Sequence, residues 1–304
     1  MKPMQGEHSA TLPPPDPFTS LAAHFGMLLG VADLEAVVGH AWAKMRLHNA
    51  WLHGGGVVWG FGISLDGPRR EVKIAPGLAL DDLGRELHLP VLSCLDLAKW
   101  FEENEEKVKT RPTTDGVAFD AHVLARFRAC LDRPVPALTS PCDSAGAQTT
   151  YSRLRETCEL LLVPGRSTPR RDRSPRLRRL LGLPGTGDAV TDAAIAEDVD
   201  GLLDKVKAAA DADRPRLWLE AVRKCAALDT VDRRPADADG SGLLPGGEPG
   251  GVILGDLVDL RLITVGGTTT AGCDLIDVAT RTSQVDTVTL VELASAASLP
   301  RGGA

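Results

Sequence analysis

Between Val117 and Ala129 the chain alternates without a break. Val117, Phe119, Ala121, Val123, Ala125, Phe127 and Ala129 fall on one side, and Ala118, Asp120, His122, Leu124, Arg126 and Arg128 on the other. A period of two predicts a β-strand with one buried face. RETCELLLV (155–163) repeats the pattern with Cys158, Leu160 and Leu162 on one side. Shorter strands are predicted over 57–63, 71–75 and 85–89, divided by Gly/Pro turns, and strand patterns resume at 252–265, 273–279 and 285–293.

Elsewhere the spacing changes to three and four. Leu34, Val38, Ala41, Met45, His48 and Leu52 form one stripe, predicting a helix over 33–53 with Asp33 as N-cap and Gly54 as C-cap. Asp16-Pro17 is expected to open a short helix through FTSLAAHFGMLL. An amphipathic helix is predicted over 95–109, acidic first and basic last, as the helix dipole prefers. Two more follow. The first spans 191–210, with Thr191 as N-cap and Ile195, Val199, Leu202, Leu203 and Val206 on one face. The second spans 214–228, with Asp213 as N-cap and Pro215 in its first turn.

The expected organisation is a Pro-rich arm (1–16), a leading helix plus β-rich block (17–163), an Arg-rich connector with a helical insert (164–231), a flexible loop (232–251) and a second β-block (252–296) packing with the first. The fold class is α+β, with a β-rich body built as a barrel or sandwich of short antiparallel strands.

Composition narrows the function. Hydrophobic residues make up 43% and aromatics 4%, so the core is aliphatic. A net charge of −7 argues against a nucleic-acid partner. None of the six cysteines forms a CxxC pair, which disfavours a zinc cluster and favours reduced thiols. The N-terminal stretch lacks an apolar signal region, and no apolar run reaches the roughly 18–20 residues of a membrane span. The expectation is a cytoplasmic protein without membrane insertion.

HGGG at 53–56 can belong to an oxyanion hole. That role needs a nucleophile. The nearest GxSxG match surrounds Ser241, with Asp239 in place of the first glycine, and no histidine follows His122. The glycines are therefore read as a helix stop leading into a strand. GLPGTGD (182–188) is read as a loop, because no strand runs into it. His40, His48 and His53 lack an HExxH frame and are read as structural, and Asp237 and Asp239 lack the remaining ligands of a calcium loop. Asp81, Asp82 and Glu86 sit at a turn, where aspartates bond their own backbone. No catalytic residue, metal ligand or cofactor is assigned. Arg166, Arg170, Arg171, Arg173, Arg176, Arg178 and Arg179 accompany only Asp172. They form either a solvated linker or a dock for an acidic partner, the candidate patch being Arg170, Arg171, Arg176, Arg178 and Arg179.

Several stretches together resemble a family encoded with phage-tail-like particles and contractile injection systems. They are GMLLGVADLE, KMRLHNAWLHGGGVVWGFGI, KIAPGLALDDLGRELHLP, RFRACLDRPVPALTSPCD, YSRLRETCELLL and, more weakly, CDLIDVATRTSQVDTVTLVEL, covering roughly half the chain. The pairing of HNxxLHGxGVVxG with a later PGxAxDxxGRE carries most of the resemblance. It implies a non-enzymatic subunit of a tail-like assembly, in or near the baseplate or on an appendage, assembled in the cytoplasm, with release alongside the particle left open. Its partners would be other subunits or further copies of itself. The Arg-rich connector and the 185–230 helices depart from the pattern. The alternatives are a glycan- or surface-binding module built on Trp42, Trp51, Trp59, Trp100, Trp218 and Tyr151, and a less favoured hydrolase centred on His53.

Overall fold

The computed structural model describes residues 16–137, 148–168, 173–233, 243–244 and 250–297. The chain is α+β and divides into two compact units, residues 1–167 with 243–304, and residues 168–242.

The larger unit opens with helix α1 (Val31–His48), which passes into a π turn over Asn49–His53. Strands β1 (Gly56–Gly60), β2 (Ile63–Asp66), β3 (Glu71–Ile74) and β4 (Gly77–Leu80) form one antiparallel hairpin bent at its middle. At the bend Phe61 N–H donates to the Pro76 carbonyl and Ala75 N–H to Gly62, so the hydrogen-bond ladder crosses from one sheet to the next. Gly60 and Phe61 both adopt positive φ there, +74° and +52°. The strain at Phe61, a fully buried aromatic, is tolerated because its ring fills the space a side chain at Gly77 would occupy. The outer half of the hairpin adds β5 (Glu86–Leu89) to β4, and the inner half adds β6 (Ser93–Asp96) to β3. Helix α2 (Leu97–Asn104) follows, capped by the Asp96 carboxylate on Lys99 N–H, and ends in a 3-10 turn over Glu105–Lys107.

The third sheet is the largest and is antiparallel throughout. It holds β7 (Arg111–Thr113), β8 (Gly116–Ala137), β9 (Gln148–Pro164), β10 (Val252–Val265), β11 (Thr268–Gly272) and β12 (Leu275–Asp277). β8 is central. β10 pairs with Gly116–Ala125 and β9 with Ala121–Ala137. The strands before and after the helical insert therefore share one sheet. Beyond Ala125 the β8–β9 pair runs on as a two-stranded ribbon whose outer end is largely exposed, Leu131 and Leu154 included.

The alternation from Val117 holds. Phe119, Ala121, Val123 and Ala125 are buried and join Val72, Ile74, Leu87, Leu97, Leu254, Leu257 and Leu260 in a core fed by all three sheets, with Val117 and Phe127 partly buried against it.

The smaller unit contains α3 (Pro175–Leu180), α4 (Ala189–Ala208) and α5 (Arg214–Asp232). Leu180, Ile195, Val199, Val206, Ala221 and Cys225 form its core.

Four local expectations need correction. Residues 16–29 form no helix; Asp16 accepts Phe18 N–H without starting one, and a turn occurs near His24. Gly30, not Asp33, is the N-cap of α1. Asp33 lies one turn in and accepts the Gly30 N–H at 2.8 Å. In α4 the cap is Asp188, whose carboxylate accepts Thr191 N–H. Residues 287–293 of the strand expected over 285–293 are helical, within α6 (Thr287–Ala297), because Asp286 caps Thr289 N–H and hydroxyl. Expectations for the arm at 1–15 and most of the 232–251 loop, including Asp237, Asp239 and Ser241, lie outside the described residues.

Candidate functional site

The two halves of the sequence motif meet at one joint, where the end of α1 docks on the β4–β5 turn. Gly84, with φ +70°, is the contact point. A side-chain carbon there would lie 2.1 Å from the Arg46 carbonyl and 2.9 Å from Ala50 N. Asn49, at the helix end, donates from Nδ2 to the Gly84 carbonyl at 3.2 Å. The turn is shaped by Asp81, which is 2% exposed and accepts Leu83 N–H, Arg85 N–H and Arg85 Nε. The aspartate–glycine–arginine run of the motif is thus a turn that admits a helix backbone.

Charge is neutralised in place around this contact. Arg46 lies 7% exposed with its guanidinium 3.6 Å from the Trp42 ring centre and 3.5 Å from Glu156. Arg46 and Arg85 both face the Phe127 ring, at 5.7 and 4.5 Å. Burial lowers the Arg46 guanidinium pKa, with Glu156 opposing. Burial also raises the carboxyls of Asp81 and Glu156 above their ordinary values, against the pull of the arginines. Two cations stacked on aromatic rings with two acids beside them make a packed, charge-balanced core.

HGGG completes the joint. Gly54, at φ +74°, returns its N–H to Asn49 and closes the π turn. Gly56 lets the Thr282 carbonyl approach to 2.9 Å of where its side chain would begin. Val57 N–H donates to Thr282, Gln284 N–H to Val57, and Gln284 Nε2 to the Gly54 carbonyl. In this geometry the N–H groups of Gly54 and Val57 serve internal bonds, and neither is presented to a developing oxyanion. His53 packs on His48, ring centres 5.1 Å apart.

The other sequence candidates are placed as follows. Arg170 and Arg171 lie outside the described residues. Arg176 is not part of a free cationic surface. Its guanidinium, 12% exposed, clamps the three helices through Asp198 (2.7 Å), Asp229 (3.4 Å) and Asp232 (2.6 Å). Burial works against its charge, but bonds to Asp198 and Asp232 raise the guanidinium pKa. Arg179 pairs with Asp200 at 2.6 Å, and Arg178 donates to the Pro184 carbonyl. Asp172 was the only acid near these arginines in sequence; their partners come from other helices. In the 182–188 loop, Asp192 accepts Thr186 N–H, the Thr186 hydroxyl and Gly187 N–H, so the chain's own carboxylate occupies the place a phosphate would take.

Of the aromatics named above, Trp42 lies under Arg46, Trp51 donates to Leu243, Trp100 donates to Leu162, Trp218 packs in the helical unit, and Trp59 is half-exposed on β1. Among the described residues no cluster of three or more His, Cys, Asp or Glu could hold a metal ion, and no helix is long and apolar enough to cross a membrane.

Sequence reasoning missed a second charged network, because its members are scattered. At a bulge in β10, Asp259 adopts φ +52° and donates its N–H to Asp120. Its carboxylate meets Arg111 at 2.8 Å and Arg261 at 2.9 Å, and Arg261 also bonds Asp274.

Compared with known proteins, the chain matches no family profile and no curated sequence.

Proposed function

We propose that this protein is a non-enzymatic structural subunit of a phage-tail-like contractile injection particle, placed in or near the baseplate or on an appendage. The carrying observation is the joint. HNxxLHGxGVVxG and PGxAxDxxGRE, which begin about thirty residues apart in sequence, are one interlocked structural element in which Gly56, Gly60, Gly77 and Gly84 admit a backbone or ring and Asp81 and Arg85 serve packing. A motif of that kind preserves a shape. The work of the protein is then positional: a rigid three-sheet body carries an exposed helix and a projecting ribbon as contact surfaces.

The test is genetic and biochemical. Tail-like particles purified from the producing organism are expected to contain the protein in fixed stoichiometry, and particles from a gene-deletion strain to lack part of the baseplate or an appendage under electron microscopy. Complete, unchanged particles without the protein refute the assignment.

A further inference from the structure

The apolar stripe of α1 faces outward. Val31, Leu34, Val38 and Met45 are 74, 56, 69 and 55% exposed, and Ala41 and His48 are exposed with them. The intervals from Val31 to His48 run three, four, three, four, three. That is a repeat of 3.5, the seam of a coiled coil, with Val31, Val38 and Met45 at a positions and Leu34, Ala41 and His48 at d positions. The residues by which α1 is anchored to its own body, Ala43 and Arg46, are at f and b, on the far side. The helix is therefore held by its back and presents its seam to solvent.

We infer that α1 pairs with α1 of a second copy of this chain in a parallel, in-register two-stranded coiled coil. This deepens the assembly reading and rests on it for a place in a larger particle, while its own test needs only the purified chain.

Three observations select a second copy. First, the seam is self-complementary: β-branched Val31 and Val38 at a with Leu34 at d favour two parallel strands. Second, the flanking positions that would oppose each other are Val37 with Trp42 within the helix and Gly30 with Glu35 at its start. No like charges meet, and no charge code calls for a different partner. Third, the apolar surface continues beyond the seam: Phe25, Leu28 and Leu29, just before the helix, and Val37 on its flank are exposed as well. The anchored helix is already formed, so pairing does not carry the cost of ordering it. The seam stops at the π turn, where the extra residue rotates Leu52 out of line.

Sedimentation equilibrium of the full chain, between about 1 and 100 μM, is expected to give twice the monomer mass at the upper end. V38E and L34E alter residues exposed in the single chain. They should keep the wild-type circular dichroism and melting temperature while raising the dissociation constant at least about 100-fold. In oxidised L34C, peptide mapping should find the two introduced thiols linked to each other, as only the parallel register brings identical d positions together. A wild-type chain that stays monomeric at about 100 μM, a dimer that V38E leaves intact, or an L34C dimer without the self-link overturns the inference. A monomeric chain that still enters particles removes the coiled coil and leaves the assembly reading standing. A dimer absent from particles does the reverse.

Discussion

Replacing Gly84 with alanine tests the joint at its tightest point. Two costs combine there. The φ of +70° is disfavoured for any residue bearing a side chain, which costs about 1 kcal/mol. The added carbon would also lie 2.1 Å from the Arg46 carbonyl and 2.9 Å from Ala50 N, both backbone atoms that cannot swing aside. Relief requires the end of α1 to lift off the β4–β5 turn, loosening the Asn49 bond and the buried Arg46 contacts. Overpacking of this kind adds about 1–3 kcal/mol. The total expected loss is about 3 kcal/mol. Gly267 supplies the control. Its φ is +79°, in the turn between β10 and β11, and nothing lies within 4 Å of the position of its side chain. G267A should therefore lose only about 1 kcal/mol. Urea unfolding followed by tryptophan fluorescence reads both, since four of the five tryptophans lie in the larger unit. Thermally, the G84A transition should fall by about 10 °C and that of G267A by about 3 °C. Equal losses for the two variants would refute the close approach of helix and turn.

In the helical unit, R176A leaves Asp229, 2% exposed, without its cationic partner. We expect a loss of about 2 kcal/mol, reduced from the value for a fully buried pair because Asp198 and Asp232 keep contact with water. Fluorescence of Trp218, the sole tryptophan in that unit, reports it, and a loss near zero refutes the clamp. At the β10 bulge, Arg111 and Arg261 hold the Asp259 carboxyl below its ordinary 3.8. Its contribution is therefore complete above that value and is lost as the pH falls through the lowered one. D259N should lose less stability than wild type between about pH 5 and pH 3 in urea titrations. Asp81 and Glu156 are shifted the other way and gain as pH falls, so an unchanged acid limb in D259N would exclude the network as its source.

Local pattern revealed most elements and little of what joins them. The β8 alternation was readable because burial on one face of a strand needs no knowledge of distant residues. TVTLVEL satisfies both strand and helix spacing, and the Asp286 cap decided between them. The α1 stripe showed which residues share a face, but periodicity does not say what covers that face. The Arg46–Glu156 contact spans 110 positions and left no local trace. The glycines of the motif were the available sign that something comes close. Likewise the arginines after Pro164 looked unpaired, because their acids arrive from helices twenty to fifty residues later.

The chain leaves the large sheet after Pro164, beside Ala121 of β8, and rejoins it at Val252, beside Ala125 on that strand's other edge, with the helical unit between. Departure and return are thus four residues apart along one strand, and among the described residues the excursion between them adds no strand to the sheet it interrupts. A segment tethered at two such neighbouring points can be lengthened or trimmed without redrawing the surrounding sheet, so one frame can be fitted with different attachments.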